Sequence, residues 1–535
     1  MSNRNRNFVR GAAMLGAAGI VVKIVGAVFR IPLGNLIGDL GMSYYQTAYP
    51  IYNWLLVVST AGIPTAIAKM ISEKAAVGDR EGVNRIFRTA FWVLALIGLA
   101  TTLLLMAGSS LICRLVRNPE AVYSMLSIAP ALFFVSLMSV YRGYFQGLQE
   151  MKAYAVSQVV EQVFRVGVGL GMAFTLYQVS LPYAAAGATF GATVGGLAGT
   201  LYMFWSYRRF KKNQVLESQG GSYEKEPTGT ILRRLVTIAV PVTIGASVLP
   251  IMNLIDLGIV MNRLTEIGMG DVAKNLYGQL TGYAATVVNL PMIVTAAVQI
   301  SLVPAVSQFA VLNARDELNR MIDTGIRMGL IIALPSTLGL VVLARPIMLL
   351  LYPMQQEAAI SAGGILAVLG WGVLGLSMFQ VLTGILQGLG KPWVPARNLA
   401  VAAAVKLVLS YVLVGMPALN IMGAAGSTAG AFCLAALLNY LSLRRLTEHR
   451  LDLGHAVLKP VAATAAMVAA AMGTYAALEA LAGNSLGTLA AVLVAGAVYV
   501  TVLAGIGGLT EEDYSLLPGG GRLRKWAEKL RGKRA

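Results

Sequence analysis

GIVVKIVGAVFRIPLGNLIGDLGMSYYQTAYPIYNWLLVVSTAGIPTAIAK, running from Gly19 to Lys69, is two long apolar segments joined by a short polar turn. The first segment carries Lys23 and Arg30 at depths where a charge facing lipid is costly. A hairpin of two membrane-spanning helices with cations inside it is the expectation, and the rest of the chain repeats the pattern.

Of the 535 residues, 57% are hydrophobic and only 12% are charged, and the mean hydropathy is +0.69. Repeated apolar runs of about 20 residues mark spanning helices. The net charge of +18 raises the question of a nucleic-acid partner. Its basic residues lie in alternate short loops, which is what insertion topology demands, so nucleic-acid binding is excluded from the reading. Cys113 and Cys433 stand far apart, and with His449 and His455 the only histidines there is neither a disulfide framework nor a His/Cys metal site. The start, MSNRNRNFVR, is a basic flank whose apolar sequel continues to Leu33 without a small-residue cleavage site. It reads as an uncleaved first helix.

Apolar windows with polar breaks predict fourteen transmembrane helices in an all-α polytopic membrane protein. They fall near 9–33, 44–70, 88–112, 121–147, 153–178, 183–207, 232–261, 276–308, 325–350, 358–388, 396–416, 421–443, 456–481 and 485–508. The grouping is six, six and two. It gives an N-lobe over 1–207, a cytoplasmic linker over 208–231, a C-lobe over 232–446, two further helices within 447–508, and a basic cytoplasmic tail over 509–535. With a cytoplasmic N-terminus, the inside segments hold 31 Lys and Arg against 5 outside, with 6 within helices. That asymmetry predicts both termini in the cytoplasm.

The two groups of six read as repeats. QGL recurs at Gln146 and Gln387, Gly187 matches Gly426, Pro64 matches Pro304, and Asn84–Arg85 returns as Asn319–Arg320. An even helix number per repeat predicts a pseudo-two-fold axis along the membrane normal, with a substrate cavity near the midplane that opens to each side in turn.

The chemistry is sought in the charges inside the helices. Lys23 lies about 14 residues into helix one, roughly 21 Å from its start, and Arg30 lies two turns further along the same face. Gly19, Gly26 and Ala27 keep that face thin. Lys23 is read as lining the cavity, and Arg30 as either lining it or snorkelling to the outer interface. Glu161 and Arg165 are an i, i+4 pair in helix five that either neutralises itself or faces the cavity. Arg142 divides evenly between cavity and interface, and Arg327 snorkels. Lys406, without a helical acidic neighbour, is the second lobe's cavity candidate. Asp256, deep in helix seven, is a candidate gate partner of Arg30 or a coupling-ion ligand. Asp39, in GNLIGDLG, is read first as a turn residue and only then as a gate. Several cations imply an anionic substrate, with phosphate or pyrophosphate the natural match. Helices thirteen and fourteen, rich in small residues, fit either an added apolar groove or lipid-facing packing.

FRIPL (Phe29–Leu33), YQTAYPIY (Tyr45–Tyr52), STAGIPTAIAK (Ser59–Lys69) and YRGYFQGLQ (Tyr141–Gln149) resemble the MOP exporter superfamily, in its branch of lipid II flippases and stage V sporulation protein B-like polysaccharide transporters. The resemblance extends over essentially the whole chain. It implies two six-helix lobes around a cationic cavity, with the last two helices forming a groove for a polyprenyl tail. It also implies alternating access that moves a polyprenyl-pyrophosphate-linked glycan from the inner to the outer leaflet of a bacterial cell membrane. Lys23 and Arg30 fall where the family carries first-helix cations. The chain departs from the pattern in helix eight, which has no cation between Lys274 and Arg315, and Lys406 is the candidate substitute.

The partners expected are therefore that lipid-linked glycan and the bilayer, with the protein a monomer. No cofactor is expected, and transport would be coupled to membrane potential, Na+ or H+. An ion-coupled multidrug exporter of the same fold is the alternative, although organic cations would want an acidic cavity. A membrane glycosyltransferase would need paired carboxylates on an ordered outer loop, and the outer loops are short. A scaffold without transport would leave the buried cations an unexplained cost.

Overall fold

The computed structural model describes residues 3–213, 226–312, 314–447 and 457–509, with the side chains of the first thirteen residues, of Ala17 and of Asn213 left aside. Half of the expected linker and nearly all of the basic tail lie outside the described residues, as do His449 and His455. The described chain is helical and contains no strand. Eleven of its helical runs are long and apolar enough to cross a membrane. Two of those runs are each a pair of helices merged across a glycine kink. Counting the pairs separately and adding α6 gives about the fourteen spans expected.

The chain divides into two compact units, one of Met1–Asn262 with Asp271–Gly278, the other of Arg263–Gly270 with Gln279–Ala535. The first contains α1 (Asn3–Thr60), α2 (Ile63–Ala76), α3 (Arg80–Leu115), α4 (Val122–Gly147), α5 (Met151–Tyr177), α6 (Leu181–Asn213), most of α7 (Thr228–Glu266) and most of α8 (Gly270–Gly278). The polar turn expected after helix one narrows to Gly38, whose φ of 67° breaks α1 into its two helices. Left-handed backbone of this kind is open to glycine at no steric cost. The second predicted helix, 44–70, does not run unbroken. It stops at Thr60 and restarts at Ile63, where Pro64 opens α2 and a Cβ on Gly62 would collide with the Ala239 carbonyl of α7.

α4, α5 and α6 form a panel held by small residues and backbone acceptors. Gly187, Gly191, Gly195 and Gly199 line one face of α6, and a Cβ on Gly195 would come within 2.5 Å of the Glu161 carbonyl oxygen. One turn away, Gly191 abuts the Arg165 carbonyl. On its other side α6 donates from Thr193 to the Ser127 carbonyl at 2.6 Å and from Thr200 to the Phe134 carbonyl at 2.7 Å of α4. In lipid, where apolar burial drives little, such close backbone approach and interhelical hydrogen bonds are what hold helices together.

The second unit starts with a π-helical turn over Gln279–Ala284, then α9 (Ala285–Val311), α10 (Arg315–Val342), α11 (Ala344–Leu351), α12 (Gln356–Leu369), α13 (Trp371–Gly388), α14 (Trp393–Val414), α15 (Asn420–Thr447) and α16 (Lys459–Gly505). Windows 325–350 and 358–388 are each two helices, divided at Leu343 and Gly370. Glycines again set the spacing: Gly375 meets the backbone of Cys433 on α15, and Gly384 that of Gln299 on α9. α16 covers the two final spans, kinked at Gly483. It packs on α10 and α11, where Met467, Ala471 and Tyr499 meet Met328 and Ile331. The Tyr499 hydroxyl donates to the Ile331 carbonyl at 2.7 Å.

Candidate functional site

Arg30, Arg142, Glu161 and Arg165 of the first unit converge on the line where α1, α4 and α5 meet. Arg165 Nη2 donates to Glu161 Oε1 at 2.7 Å. Arg142, one helix away on α4, donates to the other oxygen of the same carboxylate at 3.0 Å and through Nε to Ser157 Oγ at 2.9 Å. Glu161 is thus shared by two guanidiniums, and the expected self-neutralising pair leaves one positive charge in excess. Arg142 is placed by this contact rather than by the interface. The side chains of Arg142, Glu161 and Arg165 are 12%, 14% and 18% exposed, which leaves them partly open to water. The Nε of Arg165 and the hydroxyl of Tyr52 are buried and have no hydrogen-bond partner among the described residues. These are donors available to a ligand or to water.

α1 lines the same place with tyrosines. Tyr45, Tyr49 and Tyr52 fall at i, i+4 and i+7 and form a ladder, with ring centroids 5.7 Å apart for the first pair and 6.0 Å for the second. Arg30 Cζ lies 5.3 Å from the centroid of Tyr49, a cation–π geometry. Tyr45 is within electrostatic reach of both Arg30 and Arg165, and Tyr154 takes the guanidinium of Arg142 over its face at 5.3 Å. The ladder was within reach of the sequence: three tyrosines at helical spacing in YQTAYPIY share one face. Ser157 and Tyr154 carried no such signal.

Arg30 is half-buried and Lys23 exposed, and neither has an ion pair among the described residues. Gly26, between them, abuts Gln162 of α5 at 3.2 Å, so this face of α1 is thin, as its small residues imply. Arg30, Arg142 and Arg165 against Glu161 alone give two positive charges in excess.

Asp256, on α7, is 7% exposed. Asp39 follows the Gly38 kink and accepts from the Leu40 amide at 2.8 Å and from Asn275 Nδ2 of α8 at 2.9 Å, the behaviour of a turn-capping residue. Next to it, Lys274 is bound to Glu120 at 2.8 Å. In the second unit Lys406 is 1% exposed, on the stripe of α14 that also buries Asn398, Ala402 and Ser410. Arg327 is buried too, with Nη2 3.5 Å from Thr324 Oγ1. Groups of three or more His, Cys, Asp or Glu that could hold a metal are absent among the described residues.

Long apolar helices packed through glycine, with a cationic cluster and a tyrosine ladder among them, define a multi-pass membrane protein. The chain belongs to the polysaccharide biosynthesis protein family, whose model matches residues 8–310, and a second model, MatE, matches residues 280–412. It is 28% identical to stage V sporulation protein B of Bacillus subtilis (strain 168), over 82% of this chain and 84% of that protein. It is 26% identical to the lipid II flippase MurJ of the same organism, over 82% of each. The fold resembles that of solved transporters of the MOP superfamily. It matches the lipid II flippase MurJ in an inward closed conformation with a TM-score of 0.70 at 15% identity, over 92% of this chain and 98% of that one. An inward-facing multidrug resistance MATE family transporter matches with a TM-score of 0.66 at 13% identity, over 80% and 94%. The activities that these names state are flipping and transport, not catalysis.

Proposed function

We propose that the protein is an alternating-access flippase that carries an undecaprenyl-pyrophosphate-linked glycan, lipid II or a related cell-wall or polysaccharide precursor, from the inner to the outer leaflet of a bacterial plasma membrane. The observation that carries this reading is the excess of cations where α1, α4 and α5 meet, with no carboxylate on Arg30 and no partner on Arg165 Nε among the described residues. A pyrophosphate brings negative charge and many acceptor oxygens, and guanidiniums bind it with directed, charge-assisted bonds. The relatives named as a flippase and a sporulation protein support it. In this reading both termini are cytoplasmic, the protein acts as a monomer, Lys406 supplies the cation of the C-lobe, and α16 offers the groove for the polyprenyl tail. Asp256, Glu161 and Asp39 are the groups for gating or for coupling to membrane potential, Na+ or H+.

The match of the MatE model to residues 280–412 favours a second reading, an ion-coupled exporter of organic cations. Native mass spectrometry of the purified protein with lipid II, a neutral lipid analogue and a quaternary ammonium compound separates the two. The flippase reading expects selective retention of the pyrophosphate lipid, lost in Lys23→Ala, Arg30→Ala or Lys406→Ala. Retention of the ammonium compound with indifference to lipid II overturns it.

A further inference from the structure

The second unit carries another basic site, lined by none of the candidates described above. A pocket of about 340 Å³ opens where the turn between α9 and α10, the turn between α13 and α14, and the end of α15 come together. Arg315, Lys391 and Arg445 line it, one from each of the three places, with Leu318, Leu389 and Leu446 as its apolar wall. No carboxylate lines it, and none of the three cations has an ion pair among the described residues. Three like charges brought together without compensation repel one another, and a bound anion relieves that cost.

The repeat keeps one of the three cations, Arg315 corresponding to Arg80, and not the other two. At the offsets of its shared motifs, Lys391 corresponds to Glu150, Arg445 to Ser206 and Leu446 to Tyr207. There the first unit is filled with rings: Tyr144 and Tyr207 lie 5.1 Å apart, and Phe145 and Phe210 5.5 Å apart. The same corner is therefore plugged by aromatic residues in one unit and left open and cationic in the other.

We propose that this pocket seats the phosphate headgroup of an anionic phospholipid. A soluble phosphate needs only the cations, whereas this site adjoins apolar surface suited to acyl chains: Val311 is 78%, Leu312 65% and Leu446 49% exposed. Loop charge places this end on the cytoplasmic side, and basic pockets between transmembrane helices on that side are where anionic headgroups dock. The lipid is a resident ligand, distinct from the cargo of the flippase reading.

The test uses the full-length protein in nanodiscs of phosphatidylcholine doped with phosphatidylglycerol, with retained lipid counted by native mass spectrometry. Phosphatidylglycerol should be enriched over its share of the bilayer. Its affinity should fall about fivefold for each cation removed in Arg315→Gln, Lys391→Gln and Arg445→Gln, singly and together. A control carrying Arg208→Gln, Arg209→Gln and Lys211→Gln, equally basic but outside the pocket, should retain it. Unchanged retention in the triple variant, or equal loss in the control, overturns the proposal. Displacement of phosphatidylglycerol by millimolar inorganic phosphate assigns the site to a soluble phosphate and overturns the lipid assignment. The single variants keep the result readable if the triple variant does not fold. Lipid II binding in phosphatidylcholine alone should persist in the triple variant. Its absence in the wild type as well would refute the flippase reading and leave this one standing.

Discussion

Glu161→Gln separates the two roles of the shared carboxylate because its effects on stability and on ligand binding have opposite signs. The substitution keeps shape and volume but removes the one negative charge bonded by Arg142 at 3.0 Å and Arg165 at 2.7 Å. Breaking a fully buried ion pair costs about 3–5 kcal/mol. These side chains retain 12–18% exposure, so a fall of about 2 kcal/mol is expected after solvent screening. Anion binding should move the other way. A phosphate on the far side of the two guanidiniums sits ~6 Å from the carboxylate, and at an effective dielectric of about 20 the repulsion removed is ~2.8 kcal/mol. Water at the partly open side chains roughly halves it, leaving about tenfold tighter binding of the pyrophosphate lipid. Thermal unfolding in detergent reads the first effect, and titration with lipid II followed by native mass spectrometry reads the second. A variant that folds and binds the pyrophosphate lipid no tighter, or more weakly, refutes the assignment of this cluster as an anion site.

Further substitutions test the parts around it. Tyr49→Ala removes the ring under Arg30 and should weaken lipid II binding about fivefold, the worth of roughly 1 kcal/mol for a half-buried cation–π contact; Tyr49→Phe should bind as wild type in the same titration. Gly195→Ala places a methyl 2.5 Å from the Glu161 carbonyl oxygen and should cost about 1–3 kcal/mol in thermal unfolding, whereas Gly167→Ala, with nothing within 4 Å, should not destabilise. Asn118→Ala leaves Thr47 and Ser43 without the amide that reaches them at 2.9 and 3.1 Å. The loss expected is about 1–3 kcal/mol, read as a lower melting temperature with lipid II affinity unchanged.

The membrane class was legible in the sequence because hydropathy and loop charge are local quantities that survive any packing arrangement. So were the cations of α1, since a Lys about 14 residues into an apolar helix is conspicuous wherever that helix sits. The partnership of Arg142 was not. Whether its guanidinium reaches the interface or Glu161 depends on how α4 meets α5, a tertiary fact carried by glycines whose spacing says only that something comes close. The same limit hid the breaks. Gly62 reads as one more small residue in an apolar run until the Ala239 carbonyl appears against it, and Gly370 divides a window that hydropathy treats as continuous. Lys406 shows the converse: it was visible as a charge in a helix, but its 1% exposure follows from the packed face of α14, which its own sequence does not specify.

The glycines and threonines of α6 have a consequence for how the protein is made. They allow α6 to lie against the backbone of α5 and to bond the carbonyls of α4, and they also dilute its apolar character, so that it falls short of the hydropathy that the other long runs reach. A segment of this kind partitions weakly when it leaves the translocon alone. Its insertion is therefore expected to depend on the α4–α5 pair whose backbone it meets. The residues that bring α6 against α5 and α4 in the finished protein thereby tie its entry into the bilayer to theirs.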